Sequence, residues 1–133
     1  MSQADISLVQ SLYAAFGRGD IQPIIDALAP DVHWHVNGRN KDFPTIGTWK
    51  GPAAVQNFFR LVVEHEEFSD FSHQEFHAVD GKVFVLGHYA GKIKKTGRAY
   101  DSDWIHVFTI RGGKVVAYKE FTDTAQFAEG YRG

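Results

Sequence analysis

The sequence predicts an α+β fold, with helices first and an antiparallel β-meander after them. Three observations predict it. Through Val63 the apolar residues recur at helical spacing, and beyond it they alternate with a period of two. The alternating half is punctuated by "DG", "TG" and "RGG", which are hairpin-turn segments. A run of helices followed by a run of strands packs its helices on one face of one sheet.

Ile6, Val9, Leu12, Tyr13 and Phe16 share one helical face; Ser2 with Asp5 caps this helix, and Gly17 and Gly19 end it. Asp20 caps a second helix through Ile24, Ile25 and Leu28, stopped by Pro30. "DVHWHV" (31–36) is a short strand with Val32, Trp34 and Val36 on one face and His33 and His35 on the other. The stretch 37–50 contains Gly38, Pro44 and Gly47 and reads as a long loop. Pro52 suits the first turn of a third helix, whose stripe is Val55, Phe58, Phe59, Val62 and Val63. "EHEEFSD" (64–70) reads as an acidic link. Strands follow at about 71–79, 82–92, 99–110 and 114–122, and Asp123 caps a short helix through Phe127. The chain, 1–133, reads as a single domain.

Composition excludes several functions. A net charge of −2 offers no basic excess for phosphate, so nucleic acid is not an expected partner. The apolar runs are too short to span a bilayer, and "MSQADISLVQ" lacks the pattern of a secretory signal, so a cytoplasmic protein is expected. Without cysteine there is no disulfide or thiolate chemistry. Aromatic residues make up 14%, which points to a tight core or an aromatic-lined cavity.

The turns set an expected register. Asp80-Gly81 as a two-residue loop pairs Val79 with Lys82 and Phe76 with Val85. Thr96-Gly97 as a two-residue loop pairs Gly87 with His106 and Tyr89 with Trp104. A Gly112-Gly113 loop would mix the two faces of the last hairpin, so a three-residue Arg111–Gly113 loop is expected, pairing His106 with Tyr118 and Trp104 with Glu120. One face then carries the rows Phe76-Val85-Phe108-Val116, Gln74-Gly87-His106-Tyr118 and Ser72-Tyr89-Trp104-Glu120. Gly87 leaves a gap beside His106, and Glu120 lies diagonal to it within hydrogen-bonding reach. The other face, with Phe84, Leu86, His88, Ile105, Val107, Ala117, Lys119 and Phe121 beside His73, Glu75 and His77, is too apolar for solvent and calls for a second subunit.

The segments "GDIQPIIDALAPDVHWHV" (19–36) and "HVFTIRGGKVVAYKEFTD" (106–123) resemble the nuclear-transport-factor-2-like superfamily, and within it the SnoaL-like polyketide cyclase group. The resemblance implies a curved sheet forming a cone, with about three N-terminal helices on its concave face, a pocket between them, and a homodimer through the outer sheet face. Against ketosteroid isomerase, the catalytic base position falls on Val36, the phenol donor on Leu12, next to Tyr13, and the protonated-acid donor on His106. Against limonene epoxide hydrolase, the second catalytic aspartate falls on Glu120, the first on Tyr89 and the arginine on Gly87. Neither constellation is complete, so neither reaction is expected as such.

His106 and Glu120 are therefore the expected catalytic pair, His106 shuttling a proton and Glu120 orienting it or acting as base. The competing reading makes His106 a core histidine satisfied by Tyr118 or a carbonyl, and Glu120 an ion-pair partner of Arg39 or Lys41. Trp34, Val36, Trp49, Tyr89, Trp104, Phe108 and Tyr118 are the expected ligand-binding residues, with Trp49 at the mouth or stapling the third helix. Tyr13 and Phe16 read as core. The expected ligand is a small apolar molecule; no cofactor and no metal are expected, and His33, His35, His73, His77 and His88 read as surface or interface residues. The alternative is a non-catalytic ligand-binding or protein-interaction domain of the same fold.

Overall fold

The helices settle on the sheet through their apolar stripes. The structure, a computed structural model, describes the backbone of residues 2–133; the side chain of Ser2, expected as a cap, lies outside the described residues. Helix α1 (Ser2–Gly17) buries Val9, Leu12 and Tyr13 of the expected face together with Ala15, leaves Ile6 and Phe16 partly buried, and packs on the hairpin of residues 66–93. Helix α2 (Gln22–Asp26) is shorter than expected: Ile21 rather than Asp20 stands at its N-cap, and Leu28 already begins strand β1 (Leu28–Val36). Helix α3 (Pro52–His65) starts at Pro52 as expected and buries Val55, Phe58, Phe59 and Val62, whereas Val63 is 63% exposed.

Two segments expected to be irregular are strands. Gly47–Lys50 forms strand β2, paired antiparallel with β1 at the sheet edge, after a short 3₁₀ turn at Asn40–Asp42. Its Gly- and Pro-rich approach masks a four-residue strand. The acidic link divides: Glu64 and His65 end α3, and the rest belongs to strand β3 (Glu66–Val79), which departs directly from that helix. Strands β4 (Lys82–Ile93), β5 (Ala99–Arg111) and β6 (Lys114–Thr122) follow, and helix α4 (Thr124–Arg132) closes the chain. Asp123 stands at the α4 N-cap as expected, but its carboxylate accepts from the Gln126 side chain at 2.9 Å rather than from the helix backbone.

The six strands run in the order β2-β1-β6-β5-β4-β3. Every neighbouring pair is antiparallel except β1 with β6, which is parallel. The sheet is open, and α1, α3 and α4 pack against it. No helix among the described residues is long and apolar enough to cross a membrane.

The observed register corrects the expected one in three places. The Asp80-Gly81 turn holds, both residues having positive φ, and Phe76 faces Val85. Bulges at Ser69 and Gln74 then shift β3, so His73 pairs with Gly87 and lies on the concave side, its ring 5.2 Å from Tyr13, rather than on the outer face opposite His88. Thr96-Gly97 is part of a four-residue loop closed by Ile93 N–H donating to the Arg98 carbonyl at 2.9 Å and Gly97 N–H donating to the Ile93 carbonyl at 2.7 Å. This slides β5 by two positions without exchanging its faces: His106 faces Val85, and Trp104 faces Gly87. The last hairpin does use Gly112-Gly113 as a two-residue loop, with φ of 59° and 75°. A bulge at Val116 restores the faces, so His106 sits directly opposite Glu120 and Phe108 opposite Tyr118.

Candidate functional site

The register on β5 and β6 creates the polar centre. His106 and Glu120 are cross-strand partners on the concave face, with His106 Nε2 2.8 Å from Glu120 Oε2. An ionised carboxylate only accepts, so the ring carries its proton on Nε2 and donates it to Glu120. Nδ1 is then an acceptor, and the Tyr13 hydroxyl of α1 donates to it across 2.6 Å. Burial, reinforced by the charge of Glu120, pushes the Tyr13 phenol well above its ordinary value, which keeps it a donor. Tyr89 of β4 donates to Thr122 at 2.8 Å, with its hydroxyl 3.4 Å from Glu120 Oε2. Arg39 pairs with Asp42 instead of Glu120.

Trp104 holds the imidazole from behind. Its ring stacks on His106 with centroids 3.8 Å apart and 16° between planes. Gly87 does not leave a gap beside His106: a Cβ there would lie 2.2 Å from Trp104 Cζ2, so the indole occupies that space.

In front of His106 lies a cavity of about 80 Å³ between the sheet and α1 and α3, several times what one water needs. Trp34, Val36, Tyr89, Phe108 and Tyr118 line it together with His106 and Glu120. Trp34 and Tyr118 stack at 3.8 Å and form one wall. Two of the expected ligand-binding residues stand elsewhere. Trp104 lies behind the imidazole, and Trp49 packs on Phe58 while its Nε1 donates to the Thr45 carbonyl at 3.1 Å.

Two ionisable lining residues, Tyr13 and Glu66, were not expected as site residues. Tyr13 read as core because the same helical stripe serves core and cavity; the signal was the phenol position falling on adjacent Leu12. Glu66, the first residue of β3, is buried at 9% exposure and accepts from the Tyr100 hydroxyl at 2.9 Å. Desolvation pushes its carboxyl up to about 8, against the pull of the Tyr100 hydrogen bond and with a further push from Glu120.

Among the described residues, no three His, Asp or Glu side chains converge as metal ligands. His77 pairs with Glu75 at 3.0 Å, and His88 with Asp101 at 2.7 Å and Asp103 at 2.9 Å. His35 bonds Thr48 at 2.8 Å on the outer side of β1.

The family model of the SnoaL-like domain matches residues 9–118. The crystal structure of an NTF2-like protein from Burkholderia xenovorans LB400 is 32% identical; the match covers 98% of this chain and 97% of that one, with a TM-score of 0.88. The structure of TerC co-crystallised with polyporic acid is 25% identical, covering 98% of this chain and 99% of that one, with a TM-score of 0.84. An uncharacterised protein of Mycobacterium tuberculosis is 26% identical over 123 residues, 89% of this chain and 88% of that protein.

Proposed function

Because the chain belongs to the SnoaL-like domain family, we propose that it carries out cofactor-independent acid–base chemistry, of the isomerase, cyclase or hydrolase class, on a small apolar molecule in this cavity. The observation that carries the proposal is the hydrogen-bonded chain Tyr13–His106–Glu120 set against an aromatic cavity. Glu120 acts as base, taking the ligand's proton on Oε1 and later returning it, while His106 keeps its own proton on Nε2 and holds Oε2. The Tyr13 hydroxyl turns from Nδ1 to donate to the developing oxyanion. Trp34, Val36, Tyr89, Phe108 and Tyr118 grip the ligand's apolar body. The co-crystal of TerC with polyporic acid supports a small-molecule occupant. The protein acts as a homodimer through the convex sheet face, where Ile105 and Phe121 are exposed.

The test is exchange of α-protons of 2-indanone in D₂O, followed by proton NMR. The intact protein accelerates exchange over buffer, and His106→Gln and Glu120→Gln each reduce the acceleration at least about 100-fold. A loss of only a few-fold would remove the pair from the chemistry.

One observation favours a second reading, a non-catalytic ligand-binding domain. Both His106 nitrogens already have protein partners, as a satisfied core histidine would. That reading expects saturable 2-indanone binding without exchange.

A further inference from the structure

The cavity has a second polar end that the acid–base chain does not use. Glu66 lines it, and so does no lysine or arginine; no ion pair to Glu66 exists among the described residues. Its one side-chain hydrogen bond comes from Tyr100 to Oε1. The fold makes room for that bond. A Cβ at Gly91 would lie 2.8 Å from the Tyr100 hydroxyl, and the Tyr100 ring is backed by Phe127 at 4.6 Å. Tyr100 and His106 are six positions apart on the same face of β5. Tyr89 stands between the two ends, its ring 5.6 Å from that of Tyr100 and its hydroxyl 3.4 Å from Glu120 Oε2.

We propose that Glu66, fixed by Tyr100, is a second hydrogen-bonding anchor of this cavity, selecting ligands whose apolar body carries a carbonyl oxygen on the side away from His106. The proposal rests on the cavity being a ligand site. Tyr100 occupies one carboxyl oxygen as donor, so the acid proton sits on Oε2, which has no hydrogen-bond partner among the described residues. A protonated carboxyl donates to a carbonyl; an ionised one repels it. The titratable groups facing Glu66 are Tyr100 on β5, Tyr89 on β4 and Glu120 on β6. Burial pushes Tyr89 and Tyr100 above the ordinary phenol value, so near pH 8 they keep their protons while Glu66 loses its own. Lining residues from α3 and α4 near this end, such as Val62 and Phe127, carry no charge.

Acetophenone and ethylbenzene differ by one carbonyl oxygen and neither ionises. Their binding to the full chain is measured by amide NMR titration at pH 6.5. The preference for acetophenone falls about tenfold in Glu66→Met and stays within about threefold in Glu66→Gln, which retains an N–H donor. In the unsubstituted protein, which needs no variant to fold, the preference disappears between pH 7 and pH 9, and in Glu66→Gln it is flat. An unchanged preference in Glu66→Met, which would point to the Tyr118 hydroxyl, overturns the proposal. Equal binding of both compounds by the unsubstituted protein also overturns it but leaves the acid–base reading standing. Binding of neither compound brings down both.

Discussion

At the scale of single residues, one histidine and two carboxyl groups, His106, Glu120 and Glu66, share the cavity, and only part of this was legible. His106 stood out because it interrupts an apolar strand, and Glu120 because the turns placed it nearby. Glu66 did not, because "EHEEFSD" has the composition of a solvated link, and burial is not written in composition. Glu66 has a testable signature in stability. Its folded-state value, about 8, lies above the ordinary 4.5. Below pH 4.5 both folded and unfolded states hold the proton, and the group is neutral to folding. As pH rises from there toward 8, the unfolded chain ionises and the folded one does not, so stability is progressively lost and levels off above 8. Glu66→Gln removes that slope. Urea unfolding at pH 5 and pH 8.5 is expected to show the variant gaining a few kcal/mol over the unsubstituted protein at the higher pH. An equal difference at both values would mean that Glu66 is ionised in the fold.

At the scale of elements, legibility depended on whether a turn's chemistry forced its geometry. Asp-Gly did: both residues accept positive φ, and the pairing followed. Thr-Gly did not. A two-residue loop of that type needs positive φ at Thr96, which a β-branched side chain resists, and the chain takes a four-residue loop with positive φ at Gly97 alone. A Gly-Gly loop in a regular hairpin mixes the faces, and the bulge at Val116 that repairs them has no compositional mark. Because β5 is displaced from the expected register by an even number of residues, its inward set is unchanged while the rows slide. The space in front of Gly87 therefore went to Trp104. Gly87→Ala would drive a methyl into that ring and to 2.5 Å from the Ser72 carbonyl. Strand backbone does not yield easily, so the expected loss is about 3 kcal/mol, read from the urea midpoint, with a changed near-UV spectrum as Trp104 leaves His106. A loss below about 0.5 kcal/mol, as for an ordinary surface change, would show that the indole is not wedged there.

At the scale of the whole molecule, β5 serves two surfaces at once. Trp104, His106 and Phe108 face the cavity, while Ile105 and Val107 face out, and both faces were readable from the alternation alone. The convex face carries Ile105 at 41% and Phe121 at 40% exposure beside half-buried Phe84, Leu86 and Val107. Acidic Asp101 and Asp103 lie at one end of the outer row of β5, and Lys82 and Lys119 pair with Thr109 and Val107 at the other. A two-fold axis crossing β5 at right angles to the strand would bring the acidic end of one copy toward the basic end of the next, with the apolar middle self-paired. This charge layout favours a second copy over a different partner. A stable interface of that kind covers about 800 Å² per partner, so one lysine at its centre is decisive. Sedimentation at micromolar concentration is expected to give a dimer for the unsubstituted chain and a monomer for Ile105→Lys, with the far-UV spectrum unchanged. Removing the partner also uncovers the back of the strand that holds His106, so the monomeric variant should melt several degrees lower. A monomer before substitution, or a dimer that survives both Ile105→Lys and Phe121→Lys, would place the contact on another face and leave this one exposed to solvent.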